Sequence, residues 1–218
     1  IKMQKYLRMD FDSVRDQYSN DLAGSMELAS ISTYRKDIFG VYVFGQNGGR
    51  YKSNYYSFKS EDQRETTWYK AIAGSRETTW FPSHEGSFIV RSSISDNFIT
   101  VGQPVMDKAS GMVNGIVAAD IKEDVITQKI KHSLSNGVIC IIDQEGSILF
   151  RSNAGNDLHY PIDISPSLVS HILESTGTAV GKSMVVPDSG YLVVSRTLMN
   201  SNWRIAGIID RGFLTQSS

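Results

Sequence analysis

The sequence predicts an α+β chain built as a long N-terminal helix followed by two similar units, each an antiparallel sheet with flanking helices. Three observations carry this. Leu7, Phe11, Val14, Tyr18, Leu22, Met26 and Ala29 recur at spacings of 4, 3, 4, 4, 4 and 3, the stripe of an amphipathic helix. From Ile38 onward the grammar changes to short β-branched and aromatic runs separated by turn residues. And Val43-Phe44-Gly45-Gln46-Asn47-Gly48 matches Ile141-Ile142-Asp143-Gln144-Glu145-Gly146 in register, with both strands that follow ending in Ser-Asn, at Ser53-Asn54 and Ser152-Asn153.

The elements follow in order. The helix covers about the first thirty residues, with Arg8, Asp10, Asp12, Arg15, Asp16, Asn20 and Asp21 on a wet face and a single Gly24 inside it. At 1.5 Å per residue it reaches roughly 45 Å, enough to span two stacked units or to pair with a copy of itself. A strand at Ile38–Gly45 turns through Gln46-Asn47-Gly48-Gly49 into a second at 50–58. Ser60 with Gln63 three residues on reads as a capping box, and Gly74 as the stop, of a short helix whose inner face holds Thr67, Trp68, Ala71 and Ile72. Strands follow at 78–81, 86–91, 98–106 and 111–121, the last two joined by a hairpin loop at Asp107-Lys108-Ala109-Ser110. A connecting helix at 121–134 ends at Asn136-Gly137. The second unit then opens with strands at 138–142 and 147–151, a helix announced by Ser165-Pro166 and ended by Ser175-Thr176-Gly177, and three closing strands at 178–186, 190–198 and 203–210. The ends of the units match too: Val105-Met106-Asp107 with Leu198-Met199-Asn200, and Asp120 with Asp210 at the close of the last strand. The boundaries are the helix at 1–35, a first unit at 36–134 and a second at 135–212.

Composition narrows the function. The 218 residues carry 22 basic and 23 acidic side chains, a formal charge of -1, which excludes the basic excess of a nucleic-acid binder. The longest apolar runs fall far short of the roughly 20 residues that span a bilayer. Cys140 stands alone, so no internal disulfide and no cysteine-based zinc site exists, and its Val138-Ile139-Cys140-Ile141-Ile142 context reads as a buried small hydrophobe. The four histidines, His84, His132, His159 and His171, lack metal-ligand spacing, so no metal and no cofactor is expected. Gly177-Thr178-Ala179-Val180-Gly181-Lys182-Ser183 falls one residue short of a phosphate-binding loop and precedes a strand rather than a helix. No nucleophile elbow, zinc-protease or dinucleotide motif is present. The chain opens at Ile1 without an initiator Met and reads as a non-enzymatic fragment of something longer.

Trp68-Tyr69-Lys70-Ala71 is similar to the W-Y-x-x-A of the pocket helix in double-Cache sensor domains, which are tandems of PAS-like folds. Gln103-Pro104-Val105-Met106-Asp107, Gly111 and Gly115-Ile116-Val117-Ala118-Ala119-Asp120-Ile121 resemble that family's strand–hairpin–strand ending in G-x-x-x-x-D-[IL]. The resemblance covers nearly the whole chain. It implies the extracellular part of a bacterial sensor histidine kinase, or alternatively of a chemoreceptor, anchored by transmembrane helices before Ile1 and after Ser218. It implies a pocket in the first, membrane-distal unit for a small polar ligand such as a sugar, an amino acid or an organic acid, and a homodimer through the N-terminal helix. A second alternative is that the domain senses a solute-binding protein through its outer surface.

The candidate ligand-binding residues are Trp68, Tyr69 and Asp120, with Arg91, Trp80 and Gln103 around them. Trp68 and Tyr69 offer a flat apolar wall with two hydrogen-bonding tips. Asp120 offers a carboxylate to an ammonium or to hydroxyls, or else caps the helix that follows it. Amino-acid-binding members of the family hold the ligand carboxylate with an Arg two residues before the Trp. That position is Thr66 here, which leaves the ligand class open.

Overall fold

In a computed structural model of the chain, the residues described are 3–91, 96–130, 137–152, 162–174, 182–185, 190–198 and 203–212. They form two compact units, Ile1–Glu123 and Asp124–Ser218. The division falls at the start of the connecting helix, whereas the sequence reading sets it after that helix.

The N-terminal helix is not continuous. Helix α1 covers Met3–Leu7 and α2 covers Val14–Tyr34. Ser13 breaks them apart by capping α2, its Oγ accepting from the Asp16 amide at 3.1 Å. Asn47 crosses over from the turn to donate to the carbonyls of Tyr6 (2.9 Å) and Met9 (2.6 Å), so the exposed end of α1 is satisfied by a side chain.

The first sheet has strands β1 Ile38–Gly45, β2 Arg50–Lys52, β3 Thr79–Glu85, β4 Asn97–Met106 and β5 Val113–Lys122, in the order β2-β1-β5-β4-β3, all antiparallel. Side chains alternate across it. On one face Val41, Val43, Val117 and Ala119 pack with Tyr51 against Tyr6, Leu7 and Leu28 of the two helices. On the other, Tyr42, Phe44, Ile116 and Ala118 pack against helix α3, Thr67–Gly74, which contributes Trp68, Tyr69 and Ile72. Two glycines permit these approaches. A Cβ on Gly24 would lie 2.3 Å from the Tyr51 ring, and one on Gly102 would lie 2.2 Å from Ile72 Cδ1.

Residues 86–91 do not form the expected strand. Ser87 Oγ accepts from the amides of both Ile89 and Val90 at 3.1 Å, which removes those donors from any ladder and leaves a lone bridge between Phe58 and Val90. The strand expected at 50–58 is limited to β2. The connecting helix α4 spans Glu123–Ile130, because β5 continues to Lys122; the rest of the expected helix lies outside the described residues.

The second unit has β6 Gly137–Ile142, β7 Ile148–Arg151, helix α5 Pro166–Glu174, β8 Lys182–Val185, β9 Tyr191–Thr197 and β10 Arg204–Asp210. Its sheet order, β7-β6-β10-β9-β8, repeats that of the first. Ser165 caps α5 as expected, accepting from the Leu168 amide at 3.3 Å. The glycine stop expected at Gly177 and the loop at 177–181 lie outside the described residues.

The repeat extends to single hydrogen bonds. Ser53 Oγ accepts from the Val41 amide and Ser152 Oγ from the Ile139 amide, both at 2.8 Å, and each serine amide returns a bond to the same residue's carbonyl. Gly48 and Gly146 hold the matching turn position at φ 89° and 90°. This register makes Val41 equivalent to Ile139. It follows through the ladders that Asp120, beside Gly40 and Thr100, is equivalent to Ile208, beside Val138 and Val193. The expected match of Asp120 with Asp210 is therefore two residues out. Asp210 ends its strand and accepts from the Gly212 amide at 2.8 Å, while Asp120 lies inside β5 and does not cap α4.

Candidate ligand-binding site

The start of α3 is built by Asp62 and Thr66, not by the Ser60–Gln63 box. Asp62 accepts from the Arg64 amide at 3.1 Å and opens a single 3-10 turn, Gln63–Glu65. It also holds the Arg64 guanidinium through two bonds, at 3.1 and 3.0 Å. Thr66 Oγ1 then accepts from the Tyr69 amide and donates to the Gln63 carbonyl, at 3.4 and 2.5 Å. These caps set the first turn of α3 so that Trp68 and Tyr69 both point at the sheet.

Trp68 is 5% exposed and Tyr69 6%. Phe44 from β1 meets both rings edge-on, with centroids 5.8 Å from Trp68 and 6.1 Å from Tyr69. Burial raises the Tyr69 phenol above its ordinary value. The indole Nε1 of Trp68 is buried and has no acceptor. Nearby on the same segment, Gln63 is 2% exposed. Its Nε2 donates to the Lys59 and Glu61 carbonyls, and its Oε1 is buried without a donor. A buried donor and a buried acceptor, five residues apart, are thus both left open. Each such group costs about 1–3 kcal/mol in a closed core, so a native protein keeps them where something else completes them.

A cavity of about 440 Å³ opens beside this segment, within the size range of small-molecule pockets. Phe44 and Gln63 form part of its wall, with Gln17, Asn47, Arg50 and Arg64. The Arg50 guanidinium lies 5.5 Å over the ring of Phe58, which in turn packs 5.5 Å from Phe44.

Trp68 and Tyr69 are not among the residues of the cavity wall, and the other expected residues lie elsewhere too. Asp120 points to the same face as Trp68 but is fully buried, and its carboxyl is already engaged. Ser87 Oγ donates to Oδ2 at 2.5 Å, Thr100 Oγ1 approaches Oδ1 at 2.6 Å, and the Tyr42 hydroxyl also bonds the group. Burial raises Asp120 above the usual carboxylate range, against the pull of those three hydroxyls. Trp80 pairs with Val101 and Gln103 with Val117, rows that share the face of Val41 and Val43. Both side chains therefore stand on the side of the sheet that faces α1 and α2, opposite Trp68, and cannot line one pocket with it. Arg91 is exposed, and its amide donates to the Ser57 carbonyl at 2.8 Å. Sequence reading missed Gln63 and Phe44. Gln63 passes for a capping residue and Phe44 for core, and only the open Oε1 and the cavity single them out.

No protein-family model matches the chain, and no curated protein does. Solved structures do match over nearly its full length. The extracellular domain of the histidine kinase soHK1S-Z6 has a TM-score of 0.60 at 15% identity, covering 100% of this chain and 87% of its own. The ligand-binding domain of the Campylobacter jejuni chemoreceptor Tlp3, in complex with 4-methylisoleucine, has 0.58 at 16%, covering 97% and 77%. That of the Pseudomonas aeruginosa amino acid chemoreceptor PctC, in complex with GABA, has 0.54 at 17%, covering 95% and 86%. The described architecture is thus the tandem PAS-like, double-Cache fold of such sensor domains.

Proposed function

We propose that this chain is the extracellular ligand-sensing part of a membrane-spanning sensor, a histidine kinase in the first instance, and that it binds a small polar molecule without transforming it. The fold supports this reading, since its structural neighbours are extracellular sensor domains, two of them holding small ligands. The observation that carries it is a cavity of ligand size whose wall holds the buried, donorless carbonyl of Gln63, with the acceptorless indole N–H of Trp68 on the adjoining helix outside that wall. A ligand such as a sugar, an amino acid or an organic acid supplies the donor that Gln63 lacks, and one that reaches under α3 supplies the acceptor that Trp68 lacks. Asp120 supports the wall from behind and does not touch the ligand.

Binding does its work by population shift. A ligand that fits one arrangement of α3 against β1 better than another moves the equilibrium by that difference in affinity and no more. Transmembrane helices outside this chain would carry the shift inward. Among the described residues no helix is long and apolar enough to cross a membrane. Two copies pair along α2. Val14, Tyr18, Leu22 and Met26 lie at i, i+4 spacing on one ridge and are 85%, 69%, 53% and 69% exposed. Such a ridge packs against its own copy at a crossing angle near -50°.

The test is a thermal-shift screen of sugars, amino acids and organic acids, followed by Trp68→Phe, which removes the N–H and keeps the wall. A ligand present at 100 times its Kd stabilises the parent by about 2.7 kcal/mol. Trp68→Phe should weaken that ligand about tenfold, the worth of one hydrogen bond to a neutral group. Equal affinity for parent and variant removes Trp68 from the site.

A further inference from the structure

His84 on β3 has both ring nitrogens engaged. Nδ1 lies 2.8 Å from the Gly86 carbonyl and Nε2 lies 2.9 Å from Thr100 Oγ1. A carbonyl only accepts, so Nδ1 carries a hydrogen. Thr100 Oγ1 is in turn 2.6 Å from Asp120 Oδ1, and it has one hydrogen to give. That hydrogen serves either Nε2 or Oδ1, never both.

Two arrangements satisfy every contact. In one, Thr100 donates to an ionised Asp120, and Nε2 of a doubly protonated His84 donates to Thr100. In the other, Thr100 donates to the bare Nε2 of a neutral His84, and Asp120, protonated on Oδ1, donates to Thr100. Passing from the first to the second moves the Nε2 proton onto Thr100 and the Thr100 proton onto Oδ1, with no change in net charge. We propose that His84 and Asp120 share a single proton through the Thr100 hydroxyl, forming a pH-sensitive latch across β3, β4 and β5 on the Trp68 face of the sheet.

Burial favours the neutral arrangement over the ionised one. Burial lowers His84 and raises Asp120, and both shifts disfavour separated charges. Lys59 is the charged group that acts on both ends, lowering each. From β1 comes the Tyr42 hydroxyl, which also accepts from Asn54 Nδ2 at 3.0 Å. Phe88 stacks on the imidazole at 3.6 Å. On the flanking rows lie the Lys122–Asp96 ion pair at 2.5 Å, and Glu123 held by Ser83. One proton more leaves two donors aimed at Thr100 and its own hydrogen without an acceptor. One proton fewer leaves Nε2 and Oδ1 competing for one hydrogen. Either way the latch opens.

The second unit fills the equivalent row with Val138, Val193 and Ile208, all buried. The fold is met there by apolar side chains alone, so the polar row is an addition to the first unit. Asp120 is also linked to the core beneath α3. It receives Ser87, whose Oγ gathers the amides of Ile89 and Val90, and those two side chains pack in the same cluster as Trp68 and Tyr69. That link to binding rests on the function proposed above; the proton sharing does not.

The test uses the unliganded chain, so its outcome is independent of the Trp68 experiment. Nitrogen-15 NMR at pH 7 should show His84 protonated on Nδ1 and bare on Nε2. Infrared spectra at pH 7 should contain the carbonyl band of a protonated carboxylic acid that Asp120→Asn removes. Asn offers an N–H to Thr100 and an oxygen to Ser87, so it imitates the neutral acid. In urea titrations the raised Asp120 makes the parent lose stability as pH rises from about 4, where an unfolded Asp ionises, while Asp120→Asn lacks this loss. His84 acts oppositely, stability falling as pH drops through about 6.5, and because the two groups are coupled the comparison is read above that pH, where an unfolded imidazole is neutral. The advantage of Asp120→Asn over the parent should therefore widen as pH rises. A doubly protonated or Nε2-protonated His84 at pH 7, a missing acid band, or an advantage that stays flat with pH overturns the proposal.

Discussion

Replacing Gly24 by Ala should destabilise the first unit, against the usual effect of that change. In an open helix it gains about 1 kcal/mol from backbone entropy. Here the new Cβ would meet Tyr51 Cδ1 at 2.3 Å and Cε1 at 2.7 Å. The ring cannot retreat. It is fully buried, and its hydroxyl accepts from Asn20 Nδ2 at 2.6 Å and donates to the Tyr6 carbonyl at 3.1 Å. Helix α2 must lift from β2 instead, which strains the bonds from the Arg50 amide to Asp21 (2.9 Å) and from the Lys52 amide to Ser25 (3.1 Å). Overpacking of this kind costs about 1–3 kcal/mol, and a weakened buried hydrogen bond about 1 more. The net expectation is a loss of about 1–3 kcal/mol, read as a lower urea midpoint at unchanged slope. In a Tyr51→Ala background the clash is gone, and the same change should stabilise by about 1 kcal/mol. A stabilising Gly24→Ala in the parent, or an equal cost in both backgrounds, refutes the close approach.

Tyr18→Glu together with Leu22→Glu should leave the urea midpoint within about 0.5 kcal/mol of the parent, because both side chains are exposed, yet convert a dimer into a monomer in analytical ultracentrifugation. An unchanged sedimentation coefficient places the dimer elsewhere. Ser53→Ala and Ser152→Ala should each cost about 1–3 kcal/mol in the unit that holds them, since each leaves a buried strand amide, of Val41 or Ile139, without its acceptor. A neutral result at either serine breaks the equivalence of the two units.

What the sequence made legible was whatever shows as periodicity or punctuation. The tandem repeat was readable because its turn glycines hold one backbone conformation and Ser53 and Ser152 serve the same backbone bonds in both units. Helix α3 was readable from spacing, but its buried face was only partly so: Trp68 and Ile72 face inward as expected, whereas Thr67 and Ala71 are exposed and Tyr69 is buried. The N-terminal helix was only half so. Its apolar stripe is real, but from Val14 to Ala29 it faces solvent, while the side of α2 against the sheet carries Asn20, Gly24 and Leu28. A stripe says that a helix has an apolar side, not which neighbour covers it. Buried Asn20 and Gly24 are invisible to hydrophobic periodicity because they pack through a hydrogen bond and through the lack of a side chain. Trp80 and Gln103 failed for a related reason. Their face depends on strand register, which is set by partners far along the chain, and a shift of one residue reverses it.

The two units together separate what folding requires from what it does not. Helices α3 and α5 bury the same i, i+1, i+4 positions, Trp68, Tyr69 and Ile72 in one and Leu168, Val169 and Ile172 in the other. Both lie between the second and third strands of sheets with one strand order. Leucine and valine therefore suffice to seat such a helix. An indole with an open N–H and a phenol are more than that task needs, as are Asp120 and Thr100 where the second unit has Ile208 and Val193. Burying polar atoms in place of apolar ones weakens a fold unless they are fully paired, so a chain holding both solutions in one architecture keeps the costlier one for another purpose. Among the described residues, the open N–H of Trp68 and the Asp120–Thr100 pair fall in the first unit and on one face of its sheet. That concentration supports the proposal of ligand recognition on that face.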